Sequence, residues 1–427
     1  MDESQRLSHN KWKCKYRVAF IPWCGRRPYG QIPRHRGCAG NKDGSAGSYP
    51  PAAHRCILSV TDCNRRTREL RKTLWSSQGG TLQLRSIAFV VGIALVIGQA
   101  FAQQGAPSAA SSGRADNPPL TVRTRIPLPG VYGRIDHYGW DSKRGVLIVS
   151  ALGNDTVEIV NSWKRVHSIG GLEHPQASVY VPGIDRIVVS SQSGKLRFYD
   201  AETYTLLKTV DFGANADTDN MRYDPGSKQV YVGYGHGARG AIAVVDPDGM
   251  ERLREFSVGS HPESFQLETA GPRIFVNLPD QEALGVIDQK TGRVTKWKIP
   301  GHGNVHALAL DEASHRLFAA SLQPGQLSVV DTESGAVVAR LPCVLGVDDL
   351  WFDAARRRIY APGSGAIDVF EQIDPDHYAA LARVRVGEGA GSTSFHLKTR
   401  TQDSLFMSWP NMLAQGGSEV LLFYVND

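Results

Sequence analysis

The sequence predicts an all-β fold, a seven-bladed β-propeller with four-stranded blades, and three observations support this prediction. A short β-rich run recurs seven times at steps of 40 to 46 residues. β-branched alternation dominates these stretches, and no long window keeps the apolar i, i+3, i+4, i+7 pattern of a helix. The 44 glycines and 23 prolines suit many short strands joined by turns. A repeat of this length holding four strands has the size of one propeller blade.

Each repeat contains a turn, then a basic or polar residue, and then the β-rich run. An acidic residue commonly stands six positions before the run, as Asp141 and Asp311 do. The seven runs begin at Leu147, Ile187, Val230, Ile274, Leu317, Ile359 and Leu405. The near-constant spacing indicates one repeated supersecondary unit rather than separate domains.

Further strands are predicted on both sides of each run. A second strand follows it, at 156–160, 195–199, 241–245, 284–287, 326–330, 366–370 and 419–423. Four of these strands lead directly into aspartate-led turns, which begin at Asp200, Asp246, Asp288 and Asp331. An aspartate closes such a turn by accepting hydrogen bonds from the backbone that follows it. A third strand leaves each turn, and a fourth, before the acidic position, begins the next unit.

The ring needs one more strand to close. Residues 120–127 resemble the strands that leave the aspartate turns, and they precede the first repeat. The sequence stops just after the third strand of the seventh repeat. We therefore expect the N-terminal strand to complete the last blade, which would remove the free sheet edges of an open array.

A secretory signal peptide is predicted at 81–102. Arg85 precedes an uncharged apolar run at 86–98, and the small-x-small sequence Ala100-Phe-Ala102 follows it. A run of this length is short for a membrane span, which needs about 20 residues. A short membrane anchor or a buried helix are the alternatives. We expect cleavage, a periplasmic or secreted product and no stable membrane span after cleavage.

The residues around the signal peptide are not expected to fold. Residues 1–80 show no sustained strand or helix period, and they are either an over-extended gene prediction or a basic, disordered extension. Residues 103–119 are small, polar and proline-containing, as in a flexible spacer. The propeller is predicted to span 120–427, and we expect it to be a monomer.

Charge and cysteine are distributed unevenly along the chain. Residues 1–85 hold 17 of the 48 basic residues but only 5 of the 42 acidic ones, which leaves 31 basic and 37 acidic residues after that point. This acidic balance argues against nucleic acid as a partner of the propeller. Five cysteines fall within the first 63 residues at spacings that fit no zinc motif, and only Cys343 follows them.

Residues that enter the innermost strand of a blade point towards the central channel at one face of a propeller. Counting five residues back from the acidic position of each repeat gives Asp136, Gln176, Asp219, Glu263, His306, Asp348 and Thr393. The next residues along the chain add His137, Asn220, Asp349 and Ser394, and two residues earlier stand His174 and His261. We predict a ligand-binding site from these residues, at the channel mouth.

Four of these positions are carboxylates: Asp136, Asp219, Glu263 and Asp348. Converging carboxylate oxygens are the ligands that Ca²⁺ or Mg²⁺ prefers, so a divalent cation such as Ca²⁺ is a candidate cofactor. Participation of His306, His137 or His261 would shift the preference towards a transition metal. The alternative is a water-filled channel in which these polar groups satisfy strand ends and ordered waters.

The chain resembles the YVTN-repeat propellers, a family that includes lactonase-like seven-bladed proteins. The resemblance covers 120–427 and rests on the blade spacing, the D-x-x-x-G turns and runs such as Arg273-Ile-Phe-Val276, Val230-Tyr-Val-Gly233 and Ile359-Tyr-Ala-Pro362. It implies an exported bacterial protein but no particular catalytic residues.

Two functions follow from this reading of the sequence. The first is a binding or scaffold module that takes a small molecule or a protein partner through one face of the channel. The alternative is a metal-dependent, lactonase-type hydrolase with its site at the channel mouth. No G-x-S-x-G, H-E-x-x-H, P-loop or Rossmann motif is present in the sequence.

Overall fold

The computed structural model describes residues 117–301, 303–413 and 416–427. In these ranges 28 strands form seven antiparallel sheets of four strands each, without an α-helix. No helix of the described ranges is long and apolar enough to cross a membrane. The predicted extension at 1–80, the signal peptide at 81–102 and residues 103–116 of the predicted spacer lie outside these ranges.

The chain enters the ring through strand β1, Leu120–Pro129. Each of the first three blades is then built from consecutive strands, with the innermost strand first. Blade 1 holds β2 (Tyr138–Asp141), β3 (Val146–Ala151), β4 (Thr156–Asn161) and β5 (Lys164–Gly170). Blade 2 holds β6 (Pro175–Val181), β7 (Arg186–Ser191), β8 (Lys195–Asp200) and β9 (Leu206–Asp211). Blade 3 holds β10 (Thr218–Asp224), β11 (Gln229–Tyr234), β12 (Ala241–Asp246) and β13 (Glu251–Ser257).

The remaining blades repeat this order. Blade 4 holds β14 (Phe265–Leu267), β15 (Arg273–Leu278), β16 (Ala283–Asp288) and β17 (Val294–Lys298). Blade 5 holds β18 (Val305–Asp311), β19 (Arg316–Ser321), β20 (Gln326–Asp331) and β21 (Val337–Pro342). Blade 6 holds β22 (Trp351–Asp353), β23 (Arg358–Gly363), β24 (Ala366–Gln372) and β25 (Tyr378–Arg385). Blade 7 holds β26 (Ser394–Lys398), β27 (Asp403–Trp409) and β28 (Gly417–Val425), with β1 as its fourth strand.

The repeat predicted from the sequence is confirmed. Each of the seven β-rich runs lies in the second strand of a blade, where its residues are buried between neighbouring sheets. The aspartate turns also form as predicted. Asp288 accepts hydrogen bonds from the backbone N–H groups of Lys290 and Thr291, both at 2.9 Å, and Gly292 continues the turn with a φ of 73°.

The N-terminal strand closes the ring, as the sequence predicts. β1 pairs antiparallel with β28, so that Leu120 lies opposite Val425 and Pro129 lies opposite Gly417. Ile126 and Leu128 on β1 are fully buried. Blade 7 therefore joins both ends of the described chain and has four strands like the other six blades.

The core lies between adjacent blades rather than at the centre of the ring. Blades 5 and 6, for example, bury Phe318, Val329, Ile359 and Phe370 against one another. This packing fixes the position of each inner strand around the channel. Because every blade has the same strand order, the first residues of the seven inner strands gather at one end of the channel.

Candidate functional site

The predicted channel residues stand at the start of the inner strands. Asp219 and His306 lie within the first two residues of β10 and β18, and Asp136, Glu263 and Asp348 lie two or three residues before β2, β14 and β22. Together with Arg134 and His261, these five side chains interact as one network. We call its seven members the mouth cluster: Arg134, Asp136, Asp219, His261, Glu263, His306 and Asp348.

Two histidines connect the carboxylates of the mouth cluster. His261 Nε2 lies 3.3 Å from Asp219 Oδ2 and 3.9 Å from Glu263 Oε2. His306 Nε2 lies 3.3 Å from the same Glu263 oxygen and 3.2 Å from Asp348 Oδ1. Blades 3, 4, 5 and 6 are thereby joined by alternating acidic and imidazole groups.

Arg134 and Asp136 complete the mouth cluster from blade 1. The guanidinium of Arg134 donates a hydrogen bond to Asp136 Oδ1 at 3.1 Å and lies 3.6 Å from Asp348 Oδ2. Asp136 is fully buried, and its second oxygen, Oδ2, has no hydrogen-bond partner in the described structure. Arg134, in contrast, is half exposed at the channel entrance.

Burial and neighbouring charge shift the pKa values of the mouth cluster in opposite directions. Burial raises the pKa of Asp136 to about 7, against the opposing charges of His137 and Arg134. Burial acts in the same direction on Asp348, but the hydrogen bond to His306 and the charges of His306, His137 and Arg134 outweigh it and hold the Asp348 pKa well below its usual range. Two carboxyls of one cluster therefore differ in proton affinity, which is typical of functional sites.

Neighbouring carboxylates favour the charged form of the histidines of the cluster. Burial alone would lower the pKa of His261, but the hydrogen bond to Asp219 and the charges of Asp219 and Glu263 raise it to about 9. The pKa of His306 is likewise raised, since Asp348 and Glu263 outweigh its burial. Each predicted carboxylate in the cluster thus has at least one histidine or arginine as a neighbour.

A second group of polar side chains, His137, Asn220, Arg222 and Asp349, lies one step further along the inner strands, and we call it the cavity tier. His137 Nδ1 lies 3.1 Å from Asp349 Oδ1, and the Asn220 amide lies 3.1 Å from His137 Nε2. The backbone N–H of Ser394 donates to Asp349 Oδ2 at 2.7 Å. These contacts join blades 1, 3, 6 and 7.

The cavity tier lines a cavity of about 470 Å³ within the channel. Aromatic side chains from five blades form much of the remaining wall. They are Trp140, Tyr180, Tyr223, Trp351, Phe352 and Phe395. Cavities of this size, with an apolar wall and a few convergent polar groups, are typical of small-ligand sites.

Three predicted positions lie apart from both groups. Gln176 donates to Asp217 Oδ1 at 2.9 Å and to the Thr218 carbonyl, and Thr393 donates to the Ile135 carbonyl at 3.1 Å. His174 is half exposed in a turn with a φ of 61° and lines a separate depression beside His236. The equivalent residue of blade 4, His261, is buried in the mouth cluster.

Sequence reasoning missed four residues at or beside the site. Arg134 and Asp217 stand two positions before Asp136 and Asp219, the same offset that selected His174 and His261. Arg222 follows Asn220 by two residues on one strand, so it shares the same face. Only His236 had no such signal, because it lies in the loop after β11. It pairs with Asp217 at 2.8 Å and stacks on His261 with ring centroids 4.7 Å apart.

Comparison with known proteins supports the fold alone. No family model and no curated protein matches the sequence. A chain of a solved structure, "Crystal Structure of Mitotic Checkpoint Complex", is similar with a TM-score of 0.60 and 14% sequence identity over 76% of this chain and 98% of that chain. The chain is a seven-bladed β-propeller, a fold that hosts many unrelated functions. Membership of the YVTN-repeat family stays a prediction.

Proposed function

We propose that the protein is a binding module that holds a small organic anion, such as an aromatic carboxylate, in the channel cavity. The observation that carries this proposal is the state of Arg222. Arg222 lines the cavity, and burial lowers the pKa of its guanidinium. Both of its hydrogen bonds go to neutral oxygens, those of Met221 and Asn220.

A cation in this environment favours an anionic ligand. Arg222 forms no ion pair with another described residue, although Asp349 and Asp219 attract it from a greater distance. Taking a charge out of water without a paired counter-charge is costly. A carboxylate ligand would supply that charge and match the planar guanidinium with two parallel hydrogen bonds.

The wall of the cavity indicates the remainder of the ligand. Trp140, Trp351 and Phe395 present apolar ring surface, and His137 and Ser394 add polar groups at the wall. Aromatic side chains bind flat apolar groups through their large contact area. A ligand with one anionic end and one apolar or aromatic body fits both parts of the cavity.

Thermal unfolding of the full chain tests this proposal with acetate, hexanoate, benzoate and phenylacetate as probes. A ligand at 100 times its Kd stabilises the folded state by about 2.7 kcal/mol, which raises the Tm by a few degrees. We expect benzoate or phenylacetate to produce this shift in the wild type but not in Arg222→Gln. The matched control is Arg254→Gln, an exposed arginine on the outer strand β13, which should retain the shift.

Two outcomes would contradict the proposal. One is the absence of a shift with every carboxylate. The other is an equal shift in wild type and Arg222→Gln, which would show binding that does not use the arginine. A protein partner held by the outer surface of the propeller would then be the better interpretation.

A metal-dependent, lactonase-type hydrolase is the second candidate, and Asp136 is the observation that favours it. A buried carboxyl with a pKa near 7 can exchange a proton at neutral pH, as a general acid or base must. Hydrolysis of lactones and esters by the full chain, measured with EDTA and then with Ca²⁺, Mg²⁺, Mn²⁺ or Zn²⁺, tests it. Activity with one cation that Asp136→Asn abolishes would support the hydrolase, and inactivity with all of them would reject it.

We also propose that the protein is exported as a periplasmic or secreted monomer after cleavage at 81–102. The support is the order of basic residue, apolar run and small-x-small site in that segment. Intact mass of the native protein tests the proposal, because cleavage predicts an N-terminus near Gln103. An unprocessed precursor that lacks 1–80 would identify those residues as an over-extended gene prediction. Light scattering gives the oligomeric state.

A further inference from the structure

Three side chains of the mouth cluster offer ligand atoms that lie close together between blades 3 and 4, and His306 adjoins them from blade 5. Asp219, His261 and Glu263 have ligand atoms that all lie within 4.8 Å of one another. His306 Nε2 adds a fourth ligand atom, 3.3 Å from Glu263 Oε2. The four residues supply two carboxylates and two imidazoles, a set of ligands that is common at metal sites in proteins.

Three of the distances within this set are close to those around a bound metal ion. Metal bonds of 2.0–2.2 Å in a tetrahedral site place neighbouring ligand atoms about 3.4 Å apart. The separations are 3.3 Å from His261 to Asp219, 3.9 Å from His261 to Glu263 and 3.3 Å from His306 to Glu263. Small side-chain rotations would bring these three separations to the expected value, and His306 must also turn towards the other ligand atoms to share the ion.

The orientation of His261 is a second, independent observation. Its Nδ1 donates a hydrogen bond to the carbonyl oxygen of Gly235 at 2.6 Å, which turns Nε2 towards the two carboxylates. Metal-binding histidines usually donate their other nitrogen to such a carbonyl. Gly235 itself has a φ of 82°, and a Cβ at this position would lie 2.4 Å from the Arg239 carbonyl oxygen. A glycine is therefore needed to present this carbonyl.

We propose that Asp219, His261, Glu263 and His306 bind one divalent transition-metal ion, such as Mn²⁺ or Zn²⁺, at the channel mouth. Two imidazole ligands favour a transition metal over the Ca²⁺ that four carboxylates would select. Asp348 Oδ1 faces the same His306 nitrogen at 3.2 Å and helps to position it beside the site. Asp136 is paired with Arg134 and is not a ligand in this proposal.

The other histidine–carboxylate groups of the described chain are less suitable. Asp353, His396 and Asp403 also offer ligand atoms within 4.8 Å of one another, but Arg356 and Lys398 form ion pairs with the two aspartates. Those cations already supply the positive charge that a metal ion would bring. His396 therefore serves as a control residue in the test.

A third group shares His261 with the proposed site and includes Asp217 and His236. His236 is more than half exposed and lies 2.8 Å from Asp217. Replacing His236 distinguishes this group from the proposed one, since only the proposed site includes His306.

Mn²⁺ binding to the full, EDTA-stripped chain tests the proposal, measured by loss of the free-ion signal in electron paramagnetic resonance. Mn²⁺ is the probe because it avoids the thiolates of the five cysteines near the N-terminus. We expect one equivalent to bind to the wild type and Zn²⁺ to displace it. The affinity should fall at least about tenfold in His261→Gln, His306→Gln and Asp219→Asn. His396→Gln and His236→Gln should bind as the wild type does.

The proposal is overturned if the wild type binds neither Mn²⁺ nor Zn²⁺, or if His306→Gln binds Mn²⁺ with the same affinity as the wild type. Loss of binding in His236→Gln with retention in His306→Gln would place the ion in the third group instead. Asp219→Asn keeps the shape of the side chain, so it tests the ligand even if a histidine variant unfolds. The result is independent of the carboxylate experiment, which depends on Arg222.

Discussion

His137 Nδ1 lies 3.1 Å from Asp349 Oδ1, so a side chain of blade 1 meets a side chain that precedes the inner strand of blade 6. The other nitrogen of His137 lies 3.1 Å from the Asn220 amide of blade 3. Three blades that are not neighbours in the ring are therefore connected through one imidazole. Such a contact across the channel resists opening of the ring, in addition to the packing between adjacent blades.

Replacing His137 by alanine should destabilise the protein by about 3 kcal/mol or more, because it leaves the buried Asp349 carboxylate without its imidazole partner. Chemical denaturation gives the difference in free energy of unfolding. His377→Ala is the matched control, since its Nδ1 also contacts an aspartate, Asp374, but the pair is exposed. That loss should stay below about 1 kcal/mol. Equal losses in the two variants would refute the role of the contact across the channel.

Asp136 should make stability fall as the pH rises. Its pKa is about 7 in the folded protein and has its ordinary value in the unfolded chain. Between these two pH values, Asp136 is protonated in the folded state and ionised in the unfolded state. The resulting stabilisation is complete below the unfolded pKa of about 4 and is lost as the pH rises through about 7. Asp136→Asn should therefore raise the Tm relative to wild type more at pH 8 than at pH 5, measured in EDTA.

Asp348→Asn is the counterpart of that experiment. The pKa of Asp348 is held below its usual range by His306 and Arg134, so its charge stabilises the folded state above the unfolded pKa and ceases to do so as the pH falls below it. This variant should lower the Tm at pH 8. If the Tm of the Asp136 and Asp348 variants changed with pH in the same way, the opposite pKa shifts of the two carboxyls would be contradicted.

The closing strand should contribute stability through its buried face. Ile126→Ala removes a fully buried side chain of β1 and should cost about 2–5 kcal/mol in free energy of unfolding. Val122→Ala, on the same strand but half exposed, should change it by less than about 0.5 kcal/mol. Denaturant titration measures both values. A small effect of Ile126→Ala would mean that blade 7 is stable without its fourth strand.

Cys343 should be unreactive in the folded protein. Burial, together with the nearby Asp368 charge, raises the pKa of its thiol to about 12, so little thiolate forms at neutral pH. Iodoacetamide should label Cys343 only after unfolding, as read from the mass of the peptide that contains it. Labelling of the native protein at the denatured rate would show that the connection between blades 5 and 6 is open to solvent.

The fold could be predicted from the sequence because its determinants are local. The β-rich runs, the turn at Asp288 and the β-like residues 120–127 each depend on a few consecutive residues. Repetition then adds information, since seven similar units at one spacing have few ways to bury their apolar faces other than packing side by side in a ring. The contact between β1 and β28 could be inferred only by counting strands in the last repeat.

The candidate site could be predicted only in part. Register along a strand is local, so Asp219 and His306 could be placed at the channel mouth by counting. Which side chains meet across the channel depends on the radius of the ring and on side-chain length, which spacing does not reveal. His174 and His261 share one position in the repeat, yet the first is half exposed and the second is buried.

The pairing of β1 with β28 also sets the order in which the protein can assemble. Leu120 and Val425 are neighbours in the sheet but are separated by roughly three hundred residues of chain. A ribosome therefore makes the first strand of the ring long before its partner exists, and contacts of such high sequence separation form slowly. The earlier blades can begin to fold during synthesis, but the circle can be completed only once the final strand has been released.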